Sequence, residues 1–169
     1  MKKIILSLCM FALTASGVFA EDNRTSYLGV GLGIMAVPDY DGTRSGIGLN
    51  LKGGVALDEV LQNLGVELEL QNSIIDPELG RSRDVDVLSL GVYGTYDIKI
   101  PSTDMALRPR FGIILPNLGD EKSVNTRNYG FSSGLDVTFR ISQEMKVYAG
   151  YTNLGENINS YLAGIEFHF

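Results

Sequence analysis

Apolar and polar residues alternate with a period of two along most of the chain, and this feature constrains the fold more than any other. The clearest stretch is residues 64–71 (LGVELELQ), in which every odd position is charged, glycine or amide and every even position is Leu or Val. Such alternation predicts β-strands with one apolar and one polar face. The stretches are about ten residues long, the length that a tilted strand needs to cross a bilayer.

Eight such stretches follow one another. They cover residues 27–34, 47–57, 64–71, 88–97, 105–115, 129–141, 145–152 and 161–169. We therefore predict an all-β fold, an eight-stranded antiparallel up-and-down transmembrane β-barrel. A soluble β-sandwich or lipocalin-like barrel also alternates, but buries its apolar face. Here the polar face combines glycines with long charged side chains, which suits the narrow interior of an eight-stranded barrel. Among the strand glycines, only Gly53 and Gly94 fall on the apolar face.

The polar face carries balanced charge, which predicts an ion-pair network in the lumen. The residues assigned to this network are Lys52, Glu67, Glu69, Arg108, Arg110, Asp136, Arg140, Lys146 and Glu166, with Asp97 beside them. Hairpin registers place Lys146 opposite Glu166, Arg108 opposite Asp136, and Lys52 opposite Glu69. Arg140 beside Lys146 is the exception, a like-charge pair. We expect the network to plug the lumen, and a narrow porin-like channel is the alternative.

Aromatic residues on the apolar face concentrate near the strand ends, as the two girdles of a barrel in lipid do. The predicted girdles comprise Tyr96, Tyr129, Phe131, Phe139, Tyr151, Tyr161, Phe167 and Phe169.

The first 20 residues have the features of a cleaved signal peptide: Lys2 and Lys3, an apolar core, and a small-x-small site ending at Ala20. We expect the barrel domain to span residues 21–169. A membrane anchor is disfavoured because the apolar run is shorter than the ~20 residues of a spanning helix. The single cysteine, Cys9, would be removed, which excludes disulfides and cysteine-based zinc sites.

Three short motifs resemble the OmpA-like and opacity-type family of small outer-membrane barrels. They are residues 26–33 (SYLGVGLG), 147–151 (VYAGY) and 160–169 (SYLAGIEFHF). The resemblance implies a bacterial outer-membrane location, reached through the periplasm, and contact with membrane lipid and lipopolysaccharide. It also implies a C-terminal signal read by the barrel-assembly machinery, carried here by Tyr161, Ile165, Phe167 and Phe169.

Other functions lack the residues that they need. The net charge of −6, without a basic cluster, disfavours nucleic-acid binding. The single histidine, His168, lies at the predicted periplasmic mouth, the wrong end for a lipid-modifying enzyme. We expect no cofactor or metal, and a monomer. The favoured function is a non-enzymatic structural and surface protein, whose charged outer loops (37–46, 75–85, 116–128 and 153–159) are available for contacts. A narrow channel is the alternative, and a lipid-modifying enzyme the least favoured.

Overall fold

The computed structural model describes residues 26–36, 44–78, 86–120, 123–127, 129–154 and 158–169. These residues form one antiparallel sheet of ten strands. The strands are β1 Ser26–Ala36, β2 Gly46–Ala56, β3 Leu64–Ile75, β4 Asp86–Tyr96, β5 Ile98–Lys99, β6 Met105–Asp120, β7 Ser123–Arg127, β8 Gly130–Arg140, β9 Met145–Asn153 and β10 Asn159–His168. Within the described ranges, no helix has the length and apolar character to cross a membrane.

The sheet closes on itself into a barrel. Each of the eight long strands pairs with its neighbours in the chain, and β1 pairs with β10 from Tyr27↔His168 to Ala36↔Asn159. β4 pairs directly with β6, and the short strand β5, which lies between them in the chain, pairs with the beginning of β6. All these pairings are antiparallel, so the predicted eight-stranded up-and-down barrel is confirmed.

The two ends of the barrel differ. At the terminus end, where β1 begins and β10 finishes, the strands are joined by connections of residues 57–63, 97–104 and 141–144. In the first, the Asn63 backbone is left-handed (φ 66°), and the Asp58 carboxylate accepts its N–H at 2.7 Å. At the opposite, loop end, Arg44 and Glu78 join the first two loops through an ion pair at 3.1 Å.

One predicted loop is a strand hairpin. Residues 116–128 were expected to form an outer loop, but β6 continues to Asp120 and pairs with β7. The Asn117↔Arg127 pair keeps the register of the β6–β8 ladder, so β7 extends β8 beyond the barrel wall. Pro116 does not end β6, because β4 begins at Asp86 and supplies the neighbouring backbone up to Gly119.

The apolar face of the wall points outward. Leu32, Leu68 and Ile113 are exposed, while the charged residues between the apolar positions are buried inside. A soluble β-sandwich or lipocalin would show the reverse arrangement, so that alternative is wrong.

A small apolar cluster fills the lumen at the loop end, where the sequence had suggested a polar interior. It consists of Met35, Val87, Ile114, Leu154 and Ile158. Leu154 and Ile158 belong to the β9–β10 connection, and the Leu154 N–H donates to the Ile158 carbonyl at 2.8 Å. Simple continuation of the alternation would have placed Met35 and Ile114 inside, because Ile34 and Ile113 point outward.

Candidate functional site

The charged residues predicted for the lumen divide into a buried group and two residues at the terminus end. The buried group comprises Lys52, Glu67, Glu69, Arg108, Arg110, Asp136 and Glu166, each at most 2% exposed. Arg140 is exposed and Lys146 is partly buried. The buried part therefore holds three cations and four carboxylates, which must neutralise one another away from water.

Lys52 lies at the centre of this network. Its Nζ is 2.8 Å from Asp136 Oδ2 on β8 and 2.8 Å from Glu166 Oε1 on β10, with Glu67 Oε2 at 3.8 Å. The same ammonium lies 3.5 Å from the ring centroid of Tyr148, a cation–π contact. Gly29 on β1 makes this position possible, because a Cβ there would come within 2.9 Å of the Lys52 side chain.

The three carboxylates around Lys52 are close enough to share a metal ion. One oxygen from each of Glu67, Asp136 and Glu166 lies within 4.8 Å of the others. The Lys52 ammonium already contributes positive charge to this cluster, so the chain itself provides what a bound cation would otherwise provide.

Arg110 connects three strands. Its Nη1 donates to Glu67 Oε1 at 2.5 Å and to Glu69 Oε2 at 2.6 Å, both on β3. Its Nη2 donates to Thr152 on β9. The guanidinium also lies 5.0 Å from the Tyr93 ring centroid. Side chains from β3, β4, β6 and β9 thus meet across the full width of the lumen.

Arg108 ties the network to the terminus end. Its Nε donates to Asp97 Oδ1 at 2.6 Å, and its Nη1 donates to Glu166 Oε1 at 2.8 Å. Asp97 lies at the break between β4 and β5. Pro109, on the neighbouring strand β6, has no backbone N–H to donate across this break. The β4–β6 ladder stops one residue short of this proline, at Thr95↔Arg110.

The expected registers are present, but the ion pairs are different. Lys52 is opposite Glu69, Arg108 is opposite Asp136, and Lys146 is opposite Glu166 in the ladders. The long cationic side chains instead reach acceptors on other strands, as described above for Lys52, Arg108 and Arg110. Neighbouring strands define which residues are adjacent, whereas the closed barrel brings together residues that face each other across the bore.

Three buried tyrosines, Tyr27, Tyr93 and Tyr148, complete the filling of the lumen. The Tyr27 hydroxyl donates to Glu67, and its ring lies 4.8 Å from the Arg108 guanidinium. The Tyr148 hydroxyl donates to Asn50 Oδ1 at 2.8 Å, and Tyr93 shares a 3.0 Å hydrogen bond with Ser132. Their inward position follows from the alternation, but their partners do not.

Gly54 provides the space that the Tyr27 ring occupies. A Cβ at Gly54 would lie 2.5–2.6 Å from three atoms of Tyr27, whereas one at Gly53, which faces outward, would meet Leu28 at 3.2 Å. We expect Gly54→Ala to destabilise the barrel by about 1–3 kcal/mol through overpacking. The adjacent Gly53→Ala is expected to stay within about 0.5 kcal/mol of the parent. Urea unfolding of both variants in the same lipid measures the difference, and equal stabilities would contradict a tightly filled lumen.

The predicted girdle residues lie on the outward face. Phe131 is 90% and Tyr129 80% exposed near the loop end of β8. Tyr151 and Tyr161 pair across β9 and β10 with ring centroids 5.4 Å apart. The other predicted members, all exposed, are Tyr96, Phe139, Phe167 and Phe169. Residues 1–20, the predicted signal peptide, lie outside the described residues.

The last strand, proposed to carry the assembly signal, closes the barrel wall. The Phe169 N–H donates to the Ser26 carbonyl at 3.0 Å, and the Ser26 N–H donates back to Phe169 at 3.3 Å. Tyr161, Ile165, Phe167 and Phe169 all present their side chains outward.

A cavity with several charged residues in its lining opens at the terminus end, on the terminus side of Arg108. Its volume is about 230 Å³, and its lining includes Asp97, Lys99, Asp104, Arg140 and Lys146. It is separated from the loop end by the ion-pair network and the apolar cluster.

Comparison with known proteins agrees with this architecture. Residues 5–168 match the family model described as "Outer membrane protein beta-barrel domain". Neisserial surface protein A is similar in structure, with a TM-score of 0.64 and 14% identity over 87% of this chain and 98% of that one. OprG of Pseudomonas aeruginosa gives a TM-score of 0.57 and 14% identity, covering 88% and 99% of the two chains. Ail, the attachment invasion locus protein of Yersinia pestis, was solved with the heparin analogue sucrose octasulfate. It gives a TM-score of 0.56 and 14% identity, covering 86% of this chain and 97% of that one.

No curated protein sequence matches the chain significantly. The chain belongs to the outer membrane protein beta-barrel domain family and is a protein of the bacterial outer membrane.

Proposed function

We propose that this protein is a non-enzymatic structural and surface component of the outer membrane, with a closed, non-conducting lumen. In this proposal the terminus end faces the periplasm and the loop end faces outward. The filled lumen is the observation that carries the proposal. Lys52, Arg110 and Glu67 come from three different strands and are at most 1% exposed. Their charges are neutralised by ion pairs within the lumen, without a continuous water-filled path.

The apolar cluster adds a second barrier at the loop end. Met35, Val87, Ile114, Leu154 and Ile158 are each at most 2% exposed. Ions that enter a bore lined by such side chains lose hydration without gaining a polar partner, which makes passage unfavourable. The two barriers lie in series along the barrel axis.

The channel alternative depended on space left by inward glycines. That space is taken by larger side chains: Lys52 lies against Gly29, Tyr148 against Gly31, and Tyr27 against Gly54. This packing favours a sealed barrel over a narrow porin.

The enzyme alternative depends on a histidine near the outer leaflet. His168 lies instead at the terminus end, where its Nε2 is 3.4 Å from Glu166 Oε2 and its ring is 5.3 Å from that of Tyr27. These contacts suit a structural role at the seam between β1 and β10. Unchanged lipid A in cells that express the protein, measured by mass spectrometry, is the result expected of a non-enzyme.

The proposed partners are membrane lipid, lipopolysaccharide at the loop end, and the barrel-assembly machinery through β10. The highly exposed Tyr129 and Phe131 support a lipid-facing rim near the loop end. The protein is proposed to act as a monomer and to bind no nucleic acid. Ail, a barrel of the same fold, was solved with a heparin analogue. An exchange of outer loops followed by a binding assay tests whether the loops here make contacts of their own.

Planar-bilayer recording tests the closed lumen. We expect no steady single-channel steps from the purified, folded protein, because the network and the apolar cluster leave no wetted path. A general porin reconstituted in the same lipid confirms that the bilayer reports channels, and heat-modifiable gel mobility confirms folding. Reproducible large steps that track the folded fraction would contradict the proposal.

A further inference from the structure

Two like charges face each other at the terminus end of the lumen. Arg140 on β8 and Lys146 on β9 are direct partners in the ladder. Like charges placed opposite each other on neighbouring strands are destabilising unless an opposite charge lies between them. In the described part of the chain, no carboxylate lies within 4.0 Å of either cationic group.

Two of the nearby carboxylates are already engaged. Glu166, the ladder partner of Lys146, binds Lys52 and Arg108, each at 2.8 Å. Asp97 is held by two nitrogens of Arg108, at 2.6 Å and 3.2 Å. The Asp104 backbone carbonyl accepts the Arg140 N–H at 2.9 Å. Glu166 and Asp97 are therefore paired with buried cations and, among the described residues, form no ion pair with Arg140 or Lys146.

The cavity beside this pair has room for a ligand. Its volume of about 230 Å³ is lined by Arg140, Lys146 and a third cation, Lys99, together with Asp97 and Asp104. The lining thus holds three cations and two carboxylates, of which Asp97 is already paired with Arg108. Water occupies roughly 30 Å³ per molecule, so the space admits a small oxyanion with part of its hydration shell.

We propose that the terminus-end cavity is a binding site for a phosphate oxyanion, held between Arg140 and Lys146 with Lys99 as a third contact. The guanidinium fork and the ammonium groups are the side chains that match phosphate oxygens. Two sources share this chemistry: free phosphate, and the phosphodiester of a phospholipid headgroup at the membrane surface. The site is independent of the closed-lumen proposal, because it lies on the terminus side of the ion-pair network.

Inorganic phosphate is the first probe, titrated into the protein in an uncharged, phosphate-free detergent at low ionic strength. We expect saturable NMR shifts of backbone amides in residues 97–106 and 138–146. In the double variant Arg140→Gln/Lys146→Gln, binding is expected to weaken by about tenfold or more, because two charge-assisted hydrogen bonds are lost.

Arg44→Gln is the matched control, since it removes one positive charge at the loop end and is expected to leave phosphate binding unchanged. Gel mobility shows that all variants are folded. Short-chain phosphatidylglycerol, added in a parallel titration, identifies the source. If the site accepts a phospholipid headgroup, this lipid shifts the same amides. If the site accepts only free phosphate, inorganic phosphate shifts them and the lipid does not. Shifts that do not saturate, or that persist in the double variant, would overturn the proposal.

Discussion

Replacing Lys52 with methionine is expected to destabilise the barrel by about 3–5 kcal/mol, the range for removing one partner of a buried ion pair. The substitution preserves much of the side-chain volume, but leaves Asp136 and Glu166 without the ammonium that lies 2.8 Å from each. Glu67, at 3.8 Å, loses part of its neutralisation as well. Urea unfolding of the protein in lipid vesicles measures the loss.

Two further variants show whether the effect comes from buried charge. Arg44→Met removes a cation from the exposed pair with Glu78, whose side chains are 78% and 30% accessible, and should cost less than about 1 kcal/mol. Asp136→Asn, added to Lys52→Met, removes one stranded carboxylate and should recover part of the lost stability. If Lys52→Met were as mild as Arg44→Met, the network would not be the dry, tightly coupled unit described here.

Introducing arginine at Leu68 is expected to cost about 2–4 kcal/mol, the penalty for a cation on the lipid face of a transmembrane barrel. Leu68 points outward in the middle of the wall, between Gly53 on β2 and Val92 on β4. The hydrocarbon around it offers no hydrogen-bond acceptor for the guanidinium. Unfolding in vesicles, or folding yield by gel mobility, measures the effect.

Leu61→Arg is the matched control. Leu61 is 54% exposed and Leu68 45%, but Leu61 lies in the turn between β2 and β3, beyond the end of the wall. We expect its change to stay within about 0.5 kcal/mol. Equal costs at both positions would mean that the apolar band around Leu68 does not contact lipid.

The wall of the barrel could be predicted from sequence because its signal is local. Successive residues of a strand point to opposite faces, so Leu68 and Glu69 must lie on opposite faces of the barrel wall, independently of the rest of the sequence. Turn positions then set the registers, which is why Lys52↔Glu69 and Arg108↔Asp136 were found in the ladders. The prediction of a loop at 116–128 was wrong because β6 continues past Pro116, where its backbone pairs with β4 on one side and β7 on the other.

The sequence by itself determined which side chains of the strands enter the lumen and which meet lipid, since successive strand residues point to opposite faces. Only the tertiary structure decided how the enclosed groups are matched: Lys52 to Asp136 and Glu166, Arg110 to Glu67 and Glu69, and Leu154 and Ile158 to the apolar cluster. The physical reason is closure. Joining β1 to β10 curves the sheet until residues on non-adjacent strands come within contact distance, and a charged side chain in that narrow bore pairs with the nearest opposite charge rather than with its ladder partner.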